Sequence, residues 1–279
     1  MPYFETSTDG TRLHYVDYGP RDGRTVVFVN SSYFGTEMWE FQMLALAGEG
    51  YRCVGFDRRG HGRSDDVWGG FDLDTLAGDV AALVDHLDLN DITLVGHSIG
   101  TAEAVRYLTL HGSGRVARVA LVALVAGMAP GPARSADHPE GVDPALIEAG
   151  NEAFRKDRPG FFAAGADDFF ALHRPGNEVS PAAVQYWVER CAGATARAGN
   201  ALGELVVTLN VAPELAKIDV PVLVVHGTHD ASAPIALTGE RAARLIPGST
   251  LRVYENAGHG LFVTHADQLT ADLREFMNR

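Results

Sequence analysis

Ser98 lies in Gly96-His97-Ser98-Ile99-Gly100, one residue from a glycine on either side. The apolar run Ile92-Thr93-Leu94-Val95 before it has the character of a buried strand, and the segment 101–110 after it reads as a helix. A G-x-S-x-G at a tight strand-to-helix turn puts the serine in strained backbone angles. The glycines remove the Cβ atoms that would collide there. The hydroxyl then projects alone at a helix N-terminus. A serine hydroxyl is a weak nucleophile at neutral pH and needs a base, and the base needs an orienting acid. Two later segments supply them. His226-Gly227-Thr228-His229-Asp230 follows an apolar strand at 220–225 and offers Asp230 as the acid. Asn256-Ala257-Gly258-His259-Gly260 follows a strand at 250–254 and offers His259 as the base, on a loop whose glycines leave the imidazole free to swing.

Such chemistry also needs backbone donors for an oxyanion. The N–H of Ile99, at the start of the helix after Ser98, is one candidate. The N–H of Ser32, in the polar loop Asn30-Ser31-Ser32-Tyr33 after the strand at 25–29, is the other, with Ser31 and Tyr33 as alternatives. The residues Ile99 and 30–33 are expected to decide which acyl group fits. Of the eleven histidines, His226 and His229 are read as stabilising their loop, His61 as structural, His265 as opening a helix and His97 as packing. The chain contains no G-x-x-x-x-G-K-[ST], no strand-linked G-x-G-x-x-G, no C-x-x-C and no H-E-x-x-H. No nucleotide, cofactor or metal is therefore expected.

The elements that must position these residues alternate along the chain. A hairpin is expected over 3–18, with strands at 25–29, 52–56, 92–95, 118–125, 220–227 and 250–254. Helices are expected over 36–47, 74–87, 101–110, 234–245 and 264–277. This pattern predicts an α/β fold with a doubly wound, mostly parallel sheet. The alternation breaks at 127–213, which opens with the turn formers Pro130, Gly131, Pro132, Pro139 and Pro144. Helical patterns follow at 145–155, 160–172 and 181–190. That stretch is read as a helical cap inserted into a core of 1–126 and 214–279. Tyr33, Phe161, Phe162, Trp187 and Leu261 are the candidate substrate-pocket residues.

Composition bounds the rest. The 279 residues are 46% hydrophobic, enough for one large α/β domain with an insertion. A net charge of −13 argues against nucleic acid or anionic membrane surfaces as partners. Two cysteines, Cys53 and Cys191, make no disulfide framework and are read as inert. The N-terminus has no signal-peptide character, and the longest apolar run, 119–129, is too short for a bilayer. A cytoplasmic protein with a small-molecule substrate is expected; a homo-oligomer is compatible with the sequence.

These residues resemble the α/β-hydrolase superfamily and, more narrowly, the bacterial cofactor-free haloperoxidases, which are esterase/perhydrolases. The similarity runs from Asp57-Arg58-Arg59-Gly60 through Gly70-Phe71-Asp72-Leu73, His86-Leu87-Asp88-Leu89 and Glu103-Ala104-Val105-Arg106-Tyr107. It continues in His138-Pro139-Glu140-Gly141-Val142 and Gly258-His259-Gly260-Leu261. The resemblance implies an α/β-hydrolase fold and a triad on Ser98, Asp230 and His259. The loop Asn30-Ser31-Ser32-Tyr33, with Gly35-Thr36 and Met38-Trp39, is more similar to that of the 3-oxoadipate enol-lactone hydrolases. The expected activity is cleavage of a carboxylic ester or lactone through an acyl-enzyme, with peracid formation as a side activity. Other readings stay open on the same residues: a lactonase or C–C bond hydrolase, a cofactor-free dioxygenase, and a non-enzymatic small-molecule receptor. Dehalogenase and epoxide hydrolase chemistry fits poorly, because both need a carboxylate where Ser98 stands.

Overall fold

A computed structural model describes residues 2–125 and 143–279. The expectations placed on Pro130, Gly131, Pro132, Pro139, the 138–142 motif and the core–cap boundary at 126/127 lie outside the described residues. Among the described residues, eight strands form one sheet: β1 (Tyr3–Glu5), β2 (Arg12–Tyr18), β3 (Thr25–Val29), β4 (Arg52–Phe56), β5 (Ile92–His97), β6 (Val116–Val122), β7 (Val222–Gly227) and β8 (Thr250–Tyr254). Their spatial order is β1-β2-β4-β3-β5-β6-β7-β8. The hairpin β1–β2 joins β4 antiparallel, and every pairing from β4 to β8 is parallel. β4, β5 and β7 are buried along their whole length, as their unbroken apolar runs require in a sheet covered on both faces.

Helices α1 (Glu40–Gly48) and α11 (Ala266–Met277) pack together over one face. Helices α2 (Leu73–His86) and α3 (Ile99–His111) pack together over the other. Two apolar clusters result, one on each side of the sheet. The order reverses at β3, which has β4 on one side and β5 on the other. The loops leaving β3 and β5 therefore diverge and open a crevice at the carboxyl ends of the strands, where ligands bind in open α/β sheets.

Between β6 and β7 lie α4 (Pro144–Lys156), α5 (Arg158–Phe170), α6 (Pro181–Ala192), α7 (Ala196–Thr208) and the short α8 (Ala212–Leu215). The starts of the first four are written in the sequence. Asp143, Asp157, Ser180 and Thr195 each accept a backbone N–H of the first turn, and a proline opens three of these helices. The sequence patterns anticipated α4, α5 and α6 but not α7, whose pattern Gly199 and Gly203 interrupt. Gly199 has a packing reason: a Cβ there would come within 2.7 Å of the Phe154 ring.

Four expected elements are shorter or split. The helix expected over 36–47 opens as a 3-10 turn, Thr36–Trp39, before α1. The helix expected over 234–245 forms only as α9 (Gly239–Leu245), because Thr238 Oγ1 turns back onto the carbonyls of Ala233 and Pro234. The C-terminal helix expected over 264–277 begins two residues later, as α11, and a separate short α10 (Leu261–Thr264) precedes it across His265. The strand expected over 118–125 ends at Val122, where Ala123 takes a φ of 45°.

Candidate active site

Ser98 is the single residue between β5 and α3, with φ 55° and ψ −121°. A serine at positive φ is strained by about 1–3 kcal/mol. The turn is held by the Ser98 N–H bonding to Val122 O at 3.1 Å and by Thr101 N–H and Oγ1 donating to Ser98 O at 3.0 and 2.5 Å. Both glycines of the motif are sterically required. A Cβ on Gly96 would come within 2.4 Å of Gly100 O, and one on Gly100 within 2.6 Å of Val29 O.

Asp230 and His259 come together as the sequence predicts. His259 Nδ1–H donates to Asp230 Oδ2 at 2.7 Å, an assignment made from the carboxylate it faces, which leaves Nε2 as a proton acceptor. Asp230 Oδ1 accepts from Ala233 N–H at 2.7 Å. His226 reaches further than its own loop. Its Nε2 lies 3.2 Å from Asp230 Oδ2 and 2.7 Å from Ala233 O, so its proton is shared between the acid and the turn carrying it. Burial would raise the Asp230 pKa, but the charge interaction with His259 and the bonds from His226 and His259 outweigh it and hold the carboxyl well below the usual range.

The loop bearing His259 is clamped, contrary to the expectation of a swinging imidazole. Gly260 N–H donates to Phe169 O at 2.7 Å. A Cβ on Gly258 would meet Phe169 O at 2.6 Å, and one on Gly260 would meet the Phe170 ring at 2.4 Å. These glycines admit the end of α5, and Phe169 stacks edge-on to the His259 ring at 5.4 Å. Asn177, fully buried, ties Ala171 O to Asn256 O.

Among the loop residues after β3, Ser31 is set aside as a donor because its N–H is directed at Met38 Sδ, 3.1 Å away. Ser32 lines the same cavity as Ser98, and Tyr33 adopts a strained φ of 69° immediately after it. A serine at a helix N-terminus, an imidazole oriented by a carboxylate and a backbone N–H on the facing loop can together carry out acyl transfer.

These groups open onto a cavity of about 920 Å³. Of the candidate pocket residues, Tyr33, Phe161, Phe162 and Trp187 line it. Leu261 does not: it begins α10, which turns its side chain into the apolar cluster on that face of the sheet. The expectation that the Ile99 side chain shapes the acyl pocket is also corrected. It is fully buried against Phe71, Leu76, Ala198 and Leu202, leaving only its backbone beside Ser98. Sequence reasoning missed Phe34 and Phe169 as lining residues, and Asn151, Gly203, Val206 and Val207, the last three on the unanticipated α7. Cys191 lines the cavity as well, with its thiol pushed up by burial.

His97 and His61 are fully enclosed, and burial lowers both to about 3, so each is neutral. His61 Nδ1–H bonds to Arg59 O at 2.8 Å, a structural role as expected. His97 does more than pack: its Nε2 lies 2.9 Å from the carbonyl oxygen of His259.

The chain belongs to the α/β-hydrolase fold family, whose model matches residues 24–266, and it is an enzyme of that superfamily. Within that family it is 36% identical to a non-heme chloroperoxidase, CPO-A1, of Kitasatospora aureofaciens, over 98% of both chains. It is 32% identical to a bifunctional esterase/perhydrolase of Acinetobacter calcoaceticus, over 98% of this chain and 99% of that one. A 3-oxoadipate enol-lactonase of Acinetobacter baylyi matches at 29% over 91% of both. The crystal structure of a bromoperoxidase from Bacillus anthracis superposes with a TM-score of 0.92 at 30% identity, covering 100% of this chain and 99% of that one. Among the described residues, no helix is long and apolar enough to cross a membrane.

Proposed function

We propose that this protein is a serine hydrolase that cleaves a carboxylic ester or lactone through an acyl-enzyme on Ser98. The observation that carries the reading is the 2.7 Å His259–Asp230 pair on the cavity that also exposes the strained Ser98. His259 Nε2 takes the Ser98 proton as Oγ attacks the carbonyl carbon. The N–H groups of Ile99 and Ser32 receive the oxyanion, each contributing roughly 3–4 kcal/mol to the transition state. His259 then protonates the departing alkoxide and activates the water that frees the acid. With hydrogen peroxide in place of water, the acyl group passes to the peroxide oxygen and gives a peracid. The esterase/perhydrolase and haloperoxidase relatives support that side activity, and the enol-lactonase relative supports a lactone as substrate. We divide the chain for this reaction into a core of 1–126 and 214–279 and a cap of 127–213, because α4, α5, α6 and α7 contribute most of the apolar cavity wall.

The test is turnover of p-nitrophenyl esters by Ser98→Ala. Loss of turnover is expected; an unchanged rate overturns the reading. Oxygen uptake that survives the substitution would instead indicate a dioxygenase using His259 and Asp230.

A further inference from the structure

Arg58 and Glu103 are charged, buried and separate from the triad, with exposures of 2% and 0%. Arg58 follows β4, and Glu103 lies five positions after Ser98, on α3. Arg58 Nε donates to Glu103 Oε1 at 2.8 Å, and its Nη2 lies 2.6 Å from the same oxygen. The other edge of the guanidinium faces the loop after β3: Nη2 donates to Asn30 O at 2.8 Å and Nη1 to Ser31 O at 3.0 Å. One side chain thus ties the helix that begins at Ile99 to the loop that carries Ser32.

The bond to Ser31 O has a particular consequence. The Ser31 carbonyl and the Ser32 N–H belong to one peptide group, which is planar and trans, so they point in opposite directions. Drawing the oxygen toward Arg58 turns the Ser32 N–H away from it. A cationic donor on the carbonyl also polarises that peptide and strengthens its N–H as a donor. The rest of the loop is anchored independently. Asn30 Nδ2 donates to Phe56 O at 2.8 Å, and the Ser31 N–H is directed at Met38 Sδ.

Stability alone gives a weak reason for this pair. A buried ion pair commonly does no better than well-packed apolar residues of the same volume. This one also leaves Glu103 Oε2 buried without a hydrogen-bond partner. Apolar side chains would fill the space but could not hold two carbonyls.

We propose that Arg58 is a positioning residue for the oxyanion hole, acting through the Ser31–Ser32 peptide with Glu103 as its anchor. This rests on the serine-hydrolase reading. The test compares Arg58→Lys and Arg58→Met with wild type, Glu103→Gln and Ser98→Ala. The measurements are kcat and KM on a p-nitrophenyl ester, Ki for a trifluoromethyl ketone that forms a tetrahedral adduct, and Tm. Folded Arg58 variants should lose about 10- to 100-fold in kcat with KM within threefold, and the ketone Ki should rise by a similar factor. That is below the full loss of a donor, roughly 10²–10³. Glu103→Gln keeps an acceptor for Arg58 but removes its charge, and should lower kcat in the same direction by a smaller factor than Arg58→Met; a larger loss than Arg58→Met would overturn the assignment of Glu103 as the anchor of Arg58. If Arg58→Met does not fold, Arg58→Lys decides, since it keeps the charge beside Glu103 but not the fork. Folded Arg58 variants with unchanged kcat and ketone Ki overturn the proposal. Turnover that survives Ser98→Ala overturns the underlying reading instead.

Discussion

His97 Nε2–H donates to the backbone carbonyl of His259 at 2.9 Å, and the two rings meet edge to face at 4.9 Å. The residue immediately before Ser98 therefore fixes the backbone of the residue proposed as its base, across 162 positions of sequence. Because His97 is neutral, it carries one ring proton, and the carbonyl it faces places that proton on Nε2. Replacing His97 with Phe should keep the packing and remove the bond. The expected result is a fall of about tenfold in kcat with little change in KM, read by steady-state ester hydrolysis. A variant as fast as wild type would reduce His97 to packing.

Asp230→Asn should leave the fold intact and the imidazole in the wrong tautomer. In the triad template, losing the orienting carboxylate costs about 10⁴ in kcat, and a loss on the order of 10³–10⁴ is expected here. His226→Gln removes the second imidazole from Asp230 and should cost far less, about threefold to tenfold. Equal losses in the two variants would contradict the division of roles between His259 and His226.

Acid lability should follow the buried histidines. His61 and His97, lowered to about 3, contribute stability that is complete above their ordinary value of 6.5 and is lost as pH falls toward 3. Each of these two histidines takes up a proton on unfolding below pH 6.5, and each adds near 1.4 kcal/mol per pH unit to the slope of stability against pH. His61→Gln should lower the slope by about 1.4 kcal/mol per pH unit in urea titrations between pH 6 and 4. A slope equal to wild type would mean that His61 titrates normally in the folded protein.

The cavity is far larger than an acetyl group needs. Each buried methylene is worth about 0.8 kcal/mol, so kcat/KM for p-nitrophenyl esters should rise at least tenfold from acetate to octanoate. Gly165 lies on the cavity-lining face of α5, with open space where a Cβ would stand. Gly165→Leu should lower octanoate turnover several-fold and spare acetate, while Tm rises with the gain in helix propensity of about 1 kcal/mol. A variant with the wild-type chain-length profile would show that the acyl group lies elsewhere.

Gly100→Ala should be severe for a different reason. Its Cβ would press on the carbonyls of Val29 and Asn30 at 2.6 and 2.7 Å, backbone atoms that cannot yield without moving β3. A cost of about 1–3 kcal/mol or more is expected, measured as a lowered urea midpoint together with lost ester turnover. An unchanged midpoint would show that the elbow can relax.

That Ser98, Asp230 and His259 come to one place was readable in the chain because each lies at or on the loop after an apolar strand, and strand-end loops in a parallel sheet converge on one edge. The alternation of elements and the helix caps are likewise local patterns of burial and hydrogen bonding within a few residues. What only the tertiary structure decided depends on contacts that local patterns do not encode. Ile99 turns its side chain to a separate cluster because α7 packs there, and the two glycines that interrupt α7 hid it from the helical pattern. Leu261 points into the core because the chain re-enters a helix just after Gly260. The glycines around His259, which suggest freedom when read alone, instead admit the end of α5. Arg58 reads as one more charge in a glycine-rich loop until Ser31 and Glu103 arrive from other strands and helices. Its guanidinium has no local partner to announce it, and burial is what gives those bonds their weight.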